Sequence, residues 1–411
     1  VLYKHQEKII KEDRKKYGLF LGTGSGKTRI ALLLARGKTL VICPKTQRED
    51  KNWQREAKNN NLKIDLTVIS KEDFRRDSAT LPRFDTVIID EAHTCLGVNP
   101  TTCYVKGVPT PKTSKLFSGL QSFLSRTKPE RFYLVTATVI RSPMTVWAAA
   151  VLLGYDINFY QFRDRFYTKL PMPGREVYRA KSDDGSKDSL ANLVKKIGYV
   201  GRLEDYFDVP QQQFKTIYVE LTDEQRTRLK TLPLDFPEPI VLVGKKHQVE
   251  NGVLSGDEFN PSESFPTEKL RVILDLALEF PRMVVFAKYR GQIDYMQKLI
   301  TEHGYNVLTL TGDTKDRGSV LAQANSMKEC IFIAQSQISA GWELPQYPLM
   351  VFASMSYSVV DRIQGEGRIL RANALKKNLF VDIVVRGGVD EAVYKCIKNK
   401  QDFDERIYLK I

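Results

Sequence analysis

Tyr17-Gly18-Leu19-Phe20-Leu21-Gly22-Thr23-Gly24-Ser25-Gly26-Lys27-Thr28 decides how the rest of this chain is read. A short apolar run leads into a glycine-rich turn ending in Lys-Thr, and the apolar stretch Ile30-Ala31-Leu32-Leu33-Leu34-Ala35 follows. Glycines let the backbone curl until successive N–H groups point at one anion. Lys27 then neutralises the outer phosphates, and the Thr28 hydroxyl can reach Mg²⁺. Strand, loop and helix in that order are the context such a loop requires. The strict spacing asks for glycine where Leu21 stands, with Gly22 one position late, but the last five residues carry the phosphate contacts. Gly22, Thr23, Gly24, Ser25, Gly26, Lys27 and Thr28 are the expected phosphate-binding residues.

A second stretch, Phe84-Asp85-Thr86-Val87-Ile88-Ile89-Asp90-Glu91-Ala92-His93, is a β-branched apolar run closing on two adjacent carboxylates. Such a run predicts a buried parallel strand, so Asp90 and Glu91 emerge at its C-terminal end, where open α/β sheets place their ligands. Asp90 suits Mg²⁺ coordination, usually through a water, and Glu91 suits activation of an attacking water. A helix cap after the strand would explain one acid but not the pair.

The chain has 411 residues, too many for one ordinary core, and is most economically two domains. Its 42% hydrophobic and 27% charged content are those of a globular protein. No apolar run approaches a membrane span and no signal peptide is visible, although the chain begins at Val1 rather than Met. Cys43, Cys95, Cys103, Cys330 and Cys396 are odd in number and lack metal-type pairing, which points to a reducing cytoplasm and no zinc site. The net charge of +14 is uneven. Residues 1–150 hold 27 Lys and Arg against 14 Asp and Glu, while the remainder holds 36 against 35. A polyanion such as nucleic acid is the natural partner of that basic field, although solubility alone also favours basic surfaces.

Short apolar strands alternate with amphipathic segments along the chain. Strands are expected at Thr39–Cys43, Leu66–Ile69, Thr86–Ile89 and Phe132–Val135, and again at Met283–Ala287, Asn306–Leu310, Cys330–Ala334, Leu349–Ala353 and Phe380–Val385. This predicts two α/β domains in tandem, each a parallel sheet flanked by helices. The expected boundaries are a first lobe over 1–160, a linking segment over 161–210 and a second lobe over 211–411, with an exposed insertion at 244–266. Near the end, Gln364-Gly365-Glu366-Gly367-Arg368-Ile369-Leu370-Arg371 sets Arg368 and Arg371 on one helical face. Two guanidinium groups together suit the charge developing on a transferring γ-phosphoryl group, though such a pair alone is commonly a solvated basic face.

The order of these motifs resembles the superfamily 2 helicases and translocases over nearly the whole chain. Leu2-Tyr3-Lys4-His5-Gln6 resembles the adenine-reading glutamine motif, with Gln6 the base contact; residues 22–28 resemble motif I, and Asp90-Glu91-Ala92-His93 a DEAH-type motif II. Thr136-Ala137-Thr138 resembles motif III, which with His93 couples hydrolysis to the grip on nucleic acid. Ser336 to Leu344 resembles motif V, with Gly341 and Glu343 near the nucleotide, and Gln364 to Arg371 resembles motif VI. The resemblance implies two RecA-like domains with an ATP cleft between them. In that cleft Lys27, Asp90, Glu91, Gln364, Arg368 and Arg371 would carry catalysis, with ATP and Mg²⁺ as cofactors.

A finer resemblance is to the Swi/Snf-type DNA translocases. Val41-Ile42-Cys43-Pro44 with Asn52-Trp53-Gln54-Arg55-Glu56 resembles their motif Ia and the helix after it, Leu221 to Gln225 the entry to the second lobe, and Leu310-Thr311-Gly312-Asp313 motif IVa. Motif III lacks the Thr-Gly-Thr-Pro form usual there, and the large insertions of eukaryotic remodellers are absent. Compact chains of this kind occur among bacteriophage and bacterial enzymes of replication, recombination and repair. The implied partner is forked, branched or duplex DNA, with RNA less favoured, tracked by a monomeric motor in the cytoplasm without a membrane. Implied strand contacts are Lys45, Thr46, Ser70, Lys71, Lys288, Thr311, Gly312, Ser336 and Ser339. The segment Val98 to Arg131 reads as a long basic loop, either touching the second strand or merely solvated. Trp53 and Trp147 read as core, while the sequence leaves Trp342 undecided. The alternatives are the motor subunit of a restriction or nucleoprotein-remodelling complex, and an RNA helicase.

Overall fold

The computed structural model describes residues 2–105, 108–137, 142–171, 176–181, 189–207, 211–256, 262–338, 342–370, 377–400, 402–405 and 408. The chain divides into two compact units, Val1–Phe207 and Asp208–Ile411.

In the first unit the strands are β1 (Lys16–Leu21), β2 (Lys38–Cys43), β3 (Asp65–Ser70), β4 (Thr86–Asp90), β5 (Val98–Val105), β6 (Val108–Thr113), β7 (Arg131–Val135), β8 (Tyr167–Leu170), β9 (Val177–Ala180) and β10 (Gly198–Gly201). Six of them form a wholly parallel sheet in the order β10-β1-β7-β4-β2-β3. Alternate residues feed opposite faces: Phe20, Leu40, Ile42, Val87, Ile89, Phe132 and Leu134 pack on one side, and Leu19, Leu21, Val41, Ile88, Tyr133 and Val135 on the other. Burial on both faces is why these strands read as continuous apolar runs rather than alternating ones. All C-terminal ends share one edge, so the loops after β1, β2, β3, β4, β7 and β10 gather there, as a ligand crevice requires.

In the second unit, β11 (Gln211–Val219), β12 (Val253–Leu254), β13 (Glu263–Ser264), β14 (Arg282–Ala287), β15 (Val307–Leu310), β16 (Cys330–Gln335), β17 (Leu349–Phe352) and β18 (Lys377–Val385) occur. The parallel sheet runs β11-β18-β17-β14-β16-β15. Val284, Phe286, Phe332 and Phe380 fill one face, and Val285, Ile331, Ile333 and Ile383 the other. Two tandem α/β units with parallel sheets are therefore present, as expected. Among the described residues no helix is long and apolar enough to cross a membrane.

Three expectations need correction. The segment 161–210 does not link two lobes: helix Phe159–Phe166, the β8–β9 hairpin, helix Leu190–Ile197 and β10 all belong to the first unit. Strand β10 was hidden because Gly198-Tyr199-Val200-Gly201 is short and glycine-flanked. Its first glycine is required by packing, since a Cβ there would lie 2.4 Å from the Phe20 ring. The region 244–266 is not an exposed insertion either. His247, Val249, Glu250, Asn251, Val253, Leu254 and Phe265 are buried, and only 257–261 fall outside the described residues. The basic loop 98–131 is instead the β5–β6 hairpin followed by helix Lys115–Thr127, whose first turn is capped by Ser114.

The polar residues of 244–266 were misread because their partners are distant in sequence. Buried Lys269 donates from Nζ to Asp390 Oδ2 at 2.8 Å, Asn251 Oδ1 at 2.7 Å and the Ala353 carbonyl at 2.7 Å. His247 Nε2 lies 3.1 Å from Asp390 Oδ1. Burial alone would raise the Asp390 carboxyl, but the Lys269 ammonium and the His247 hydrogen bond outweigh it and hold Asp390 well below the carboxylate range. Burial pushes His247 down to about 4, so its ring is neutral near pH 7. Lys269→Met leaves Asp390 charged and unpaired, and chemical denaturation should show a loss of about 3–5 kcal/mol. A loss below about 1 kcal/mol, the range of exposed ion pairs, would mean that the cluster does not hold this unit together.

Candidate active site

The phosphate loop follows β1 directly. Gly24 and Gly26 adopt φ of 81° and 79°, the left-handed region that favours glycine, and helix Lys27–Leu34 starts immediately afterwards. A Cβ on Gly26 would stand 2.3 Å from Gln6 Nε2, so the loop is shaped by a neighbour that tolerates no side chain. Gln6 is only 2% exposed, donates from Nε2 to the Ser25 carbonyl at 3.2 Å, and accepts at Oε1 from Tyr3 N at 3.2 Å. His5 Nε2 meets the same carbonyl at 3.0 Å. Gln6, assigned by resemblance to the adenine, is thus built here as a brace for the loop. Lys27 Nζ donates to the Gly22 carbonyl at 2.9 Å, and Gly22 N donates to the Gly201 carbonyl at 2.8 Å. The segment taken for a linker therefore forms one wall of the loop. Thr23 and Thr28 are half-buried, and Ser25 is buried.

Asp90 ends β4 and is buried, with Trp53 Nε1 donating to Oδ2 at 3.2 Å and Glu91 N donating to Oδ1 at 2.9 Å. Burial, and then the Glu91 charge, raise the Asp90 carboxyl to about 6; Lys71 and the Trp53 hydrogen bond act the other way. Glu91 holds φ 45° and ψ 52°, a left-handed conformation that costs a non-glycine residue roughly 1–3 kcal/mol and needs support from its surroundings. Lys71 supplies that support. Its Nζ donates to the Glu91 carbonyl at 2.8 Å and to Thr94 Oγ1 at 2.6 Å. Glu91 Oε2 is buried, 3.4 Å from His93 Nδ1, and makes no hydrogen bond among the described residues. His93 Nδ1 also meets Thr136 Oγ1 at 2.9 Å, which joins the ends of β4 and β7. Ala137 follows Thr136 and is half-buried, while Thr138 lies outside the described residues.

This arrangement fits nucleotide phosphates and Mg²⁺. The donor set at the sheet edge is N–H groups and an ammonium for phosphate, with hydroxyl and carboxylate oxygens for a hard cation. Lys27, Thr28, Asp90 and Glu91 all stand on that one edge.

The strand contacts implied by resemblance fare unevenly. Lys45 is exposed, 3.7 Å from Glu49, and Thr46 is half-buried beside it. Ser70 and Lys71 are corrected: both are buried, Ser70 Oγ caps the following helix by accepting from Asp73 N at 3.1 Å, and Lys71 points at Glu91. In the second unit, buried Thr311 accepts at Oγ1 from Arg290 at 2.9 Å, and Gly312 N donates to Gln335 Oε1 at 3.3 Å. Lys288 lies over the Tyr357 ring, 2.9 Å from its centroid, and burial lowers it to about 7. Ser336 Oγ is buried without a hydrogen-bond partner among the described residues. Ser339, Gly341 and Arg371 lie outside the described residues, and Glu343 is exposed.

Arg368 differs most from its expected role. It is 7% exposed, donating from Nε to the Gln364 carbonyl at 2.9 Å and from NH1 to the Trp342 carbonyl at 2.7 Å. Leu344 N donates back to the Arg368 carbonyl at 2.9 Å. The guanidinium thus ties the segment around buried Trp342 to the end of helix Val359–Glu366, and Gln364 is buried next to it. Nothing in a local basic pattern signals such a tether. Trp53 was likewise expected only as core, and its hydrogen bond to Asp90 is visible only once β2 and β4 are paired.

Residues 268–373 match the helicase conserved C-terminal domain. The match covers the part of the second unit that carries Lys288, Thr311, Ser336 and Arg368. Among similar proteins, a candidate ATP-dependent RNA helicase of Methanocaldococcus jannaschii is 21% identical over 220 residues, covering 51% of this chain and 27% of that protein. The pre-mRNA-splicing ATP-dependent RNA helicase of Neurospora crassa is 23% identical over 205 residues, covering 46% of this chain and 28% of its own length. The similarity thus spans little more than a quarter of either relative.

Because Arg368 donates charge-assisted hydrogen bonds to two buried carbonyls, Arg368→Ala should lower the denaturation free energy by about 2–4 kcal/mol as well as lowering ATP turnover. Lost turnover at unchanged stability would identify Arg368 as a group acting on nucleotide alone.

Proposed function

We propose that the chain is an ATP-dependent nucleic-acid helicase or translocase, with forked or branched DNA as its substrate. The observation that carries this is the joining of the phosphate loop, Asp90–Glu91 and the His93–Thr136 contact on one sheet edge, in a chain whose second unit matches the helicase C-terminal domain. The loop N–H groups and Lys27 would bind the phosphates, and Glu91 Oε2 would orient the attacking water. Thr28 and Asp90 would hold Mg²⁺, which when bound offsets charge on the β- and γ-phosphates. His93 would report the state of the Glu91 turn to Thr136, since both residues of that pair are buried and in hydrogen-bond contact.

The preference for DNA rests on the Swi/Snf-like motifs, and the basic balance of residues 1–150 suits either nucleic acid. RNA is the second reading, favoured by the names of the two relatives. Nucleotide binding and ATPase assays with forked DNA, single-stranded DNA and RNA test both. Lys27→Ala should lose nucleotide binding, and Glu91→Gln should bind ATP without turning it over. Forked DNA should stimulate the wild type most. Stronger stimulation by RNA would favour the second reading, and a rate indifferent to every nucleic acid would reject both.

A further inference from the structure

The chain has three tryptophans, and each donates its indole N–H inside the fold. Trp147 gives it to the Ile157 carbonyl at 2.9 Å and Trp342 to the Ile338 carbonyl at 2.7 Å, neutral acceptors that satisfy a buried indole. Trp53 gives it to a carboxylate instead: Asp90 Oδ2 at 3.2 Å, with the ring wholly buried. The other oxygen, Oδ1, accepts from Glu91 N at 2.9 Å. Among the described residues these are the two hydrogen-bond donors to the Asp90 carboxyl group. The end torsion of an aspartate is soft, so a carboxylate held at one oxygen can still pivot. A second donor on the other oxygen, supplied by a different element, fixes its plane.

The sequence after β2 brings the indole to that place. Ile42 pairs with Ile89, which sets the ends of β2 and β4 side by side. After Pro44 the chain forms helix Lys45–Glu49, passes through left-handed Lys51 with φ 52°, and enters helix Asn52–Asn59. Asn52 Nδ2 donates back to Gln47 Oε1 at 2.7 Å and ties the two helices together. Trp53 and Ala57, one turn apart, are the buried residues of the second helix. Trp53 shares an apolar cluster with Ile30, Ala31 and Leu34 of helix Lys27–Leu34, and the two helices pack against each other. The indole therefore joins the phosphate-loop helix, which carries Thr28, to the carboxylate at the end of β4.

We propose that Trp53 is a positioning residue for the divalent cation, its N–H holding the Asp90 carboxylate in the plane that meets Mg²⁺ beside Thr28. A donor behind a metal-binding group orients that group and sets how tightly the metal is held. The proposal rests on the reading of Thr28 and Asp90 as the Mg²⁺ residues, and it adds the group that orients one of them.

The test uses the full chain and a non-hydrolysable ATP analogue, whose affinity is measured by calorimetry in EDTA and across a Mg²⁺ titration. Trp53→Phe keeps an aromatic ring and loses the N–H, and circular dichroism checks that it folds. Its affinity for the analogue in EDTA should match wild type. The Mg²⁺ concentration that half-saturates the metal-dependent gain in affinity should rise about ten- to a hundredfold, the range for losing a partner behind a metal ligand. A role in packing alone predicts equal losses with and without metal. That result, or an unchanged Mg²⁺ dependence in the folded variant, would overturn the proposal. A second measurement needs no substitution at Trp53. With ¹⁵N in the indole rings, one of the three indole signals should move when Mg²⁺ is added to the analogue complex, and Asp90→Asn should displace the same signal. Indole signals that ignore the metal would overturn the proposal even if Trp53→Phe failed to fold. A wild-type chain whose affinity for the analogue is indifferent to Mg²⁺ would overturn the reading of Asp90 as well.

Discussion

The carbonyl oxygen of Glu91, held by the Lys71 ammonium, is the constraint on which the ligand edge of the first unit turns. At the end of β4 the chain must reverse into the turn Ala92–Cys95, and it does so through a left-handed Glu91, a conformation an L-residue keeps only when neighbours compensate. The compensating group is an ammonium from the helix that follows β3: Lys71, 8% exposed, at 2.8 Å. That bond braces the turn between Asp90 and His93, whose Nδ1 meets Thr136 Oγ1. It also places a buried positive charge near Asp90, one of three effects that oppose the rise of its carboxyl.

The phosphate loop depends on a comparable constraint from the other side. Its Ser25 carbonyl takes hydrogen bonds from His5 and Gln6, and its first glycine is tied to Gly201. His5 stacks on Tyr206 with ring centroids 4.0 Å apart, so the start and end of the first unit close together around the loop. A loop able to wrap phosphate must turn its backbone N–H groups inward, and these outside contacts through the Ser25 carbonyl and Gly22 N help to shape it. The second unit repeats the logic with Arg368, whose charge is spent on carbonyls of its own fold.

Much of this was legible in the sequence, for identifiable reasons. Parallel strands buried on both faces leave unbroken apolar runs, so every predicted strand is present, and glycine spacing with a Lys-Thr ending has one dominant physical use. Trp53 and Trp147 are core, as their amphipathic settings implied. What escaped depends on partners distant in the chain. Lys71 was implied as a strand contact, and its role beside Glu91, twenty residues on, depends on the fold. Gly198 to Gly201 carried too few apolar residues to read as a strand, yet it completes the sheet beside β1. The polar residues of 244–266 looked like solvent-exposed loop because Asp390, which His247 and Asn251 meet, lies about 140 residues further along the sequence. Composition records a charged side chain and not whether its partner is water or a buried carboxylate.

Lys71 is the decisive residue: the resemblance to DNA translocases implies a strand contact, whereas in the structure its ammonium props the Glu91 turn. Measuring ATP binding, nucleic-acid affinity and stimulated turnover together in Lys71→Met separates the two. The structure predicts that nucleotide and nucleic acid still bind with wild-type affinity and salt dependence while turnover collapses, because the Glu91 turn has lost its support. Weakened nucleic-acid binding with a shallower salt slope, at unimpaired turnover per bound complex, would contradict it.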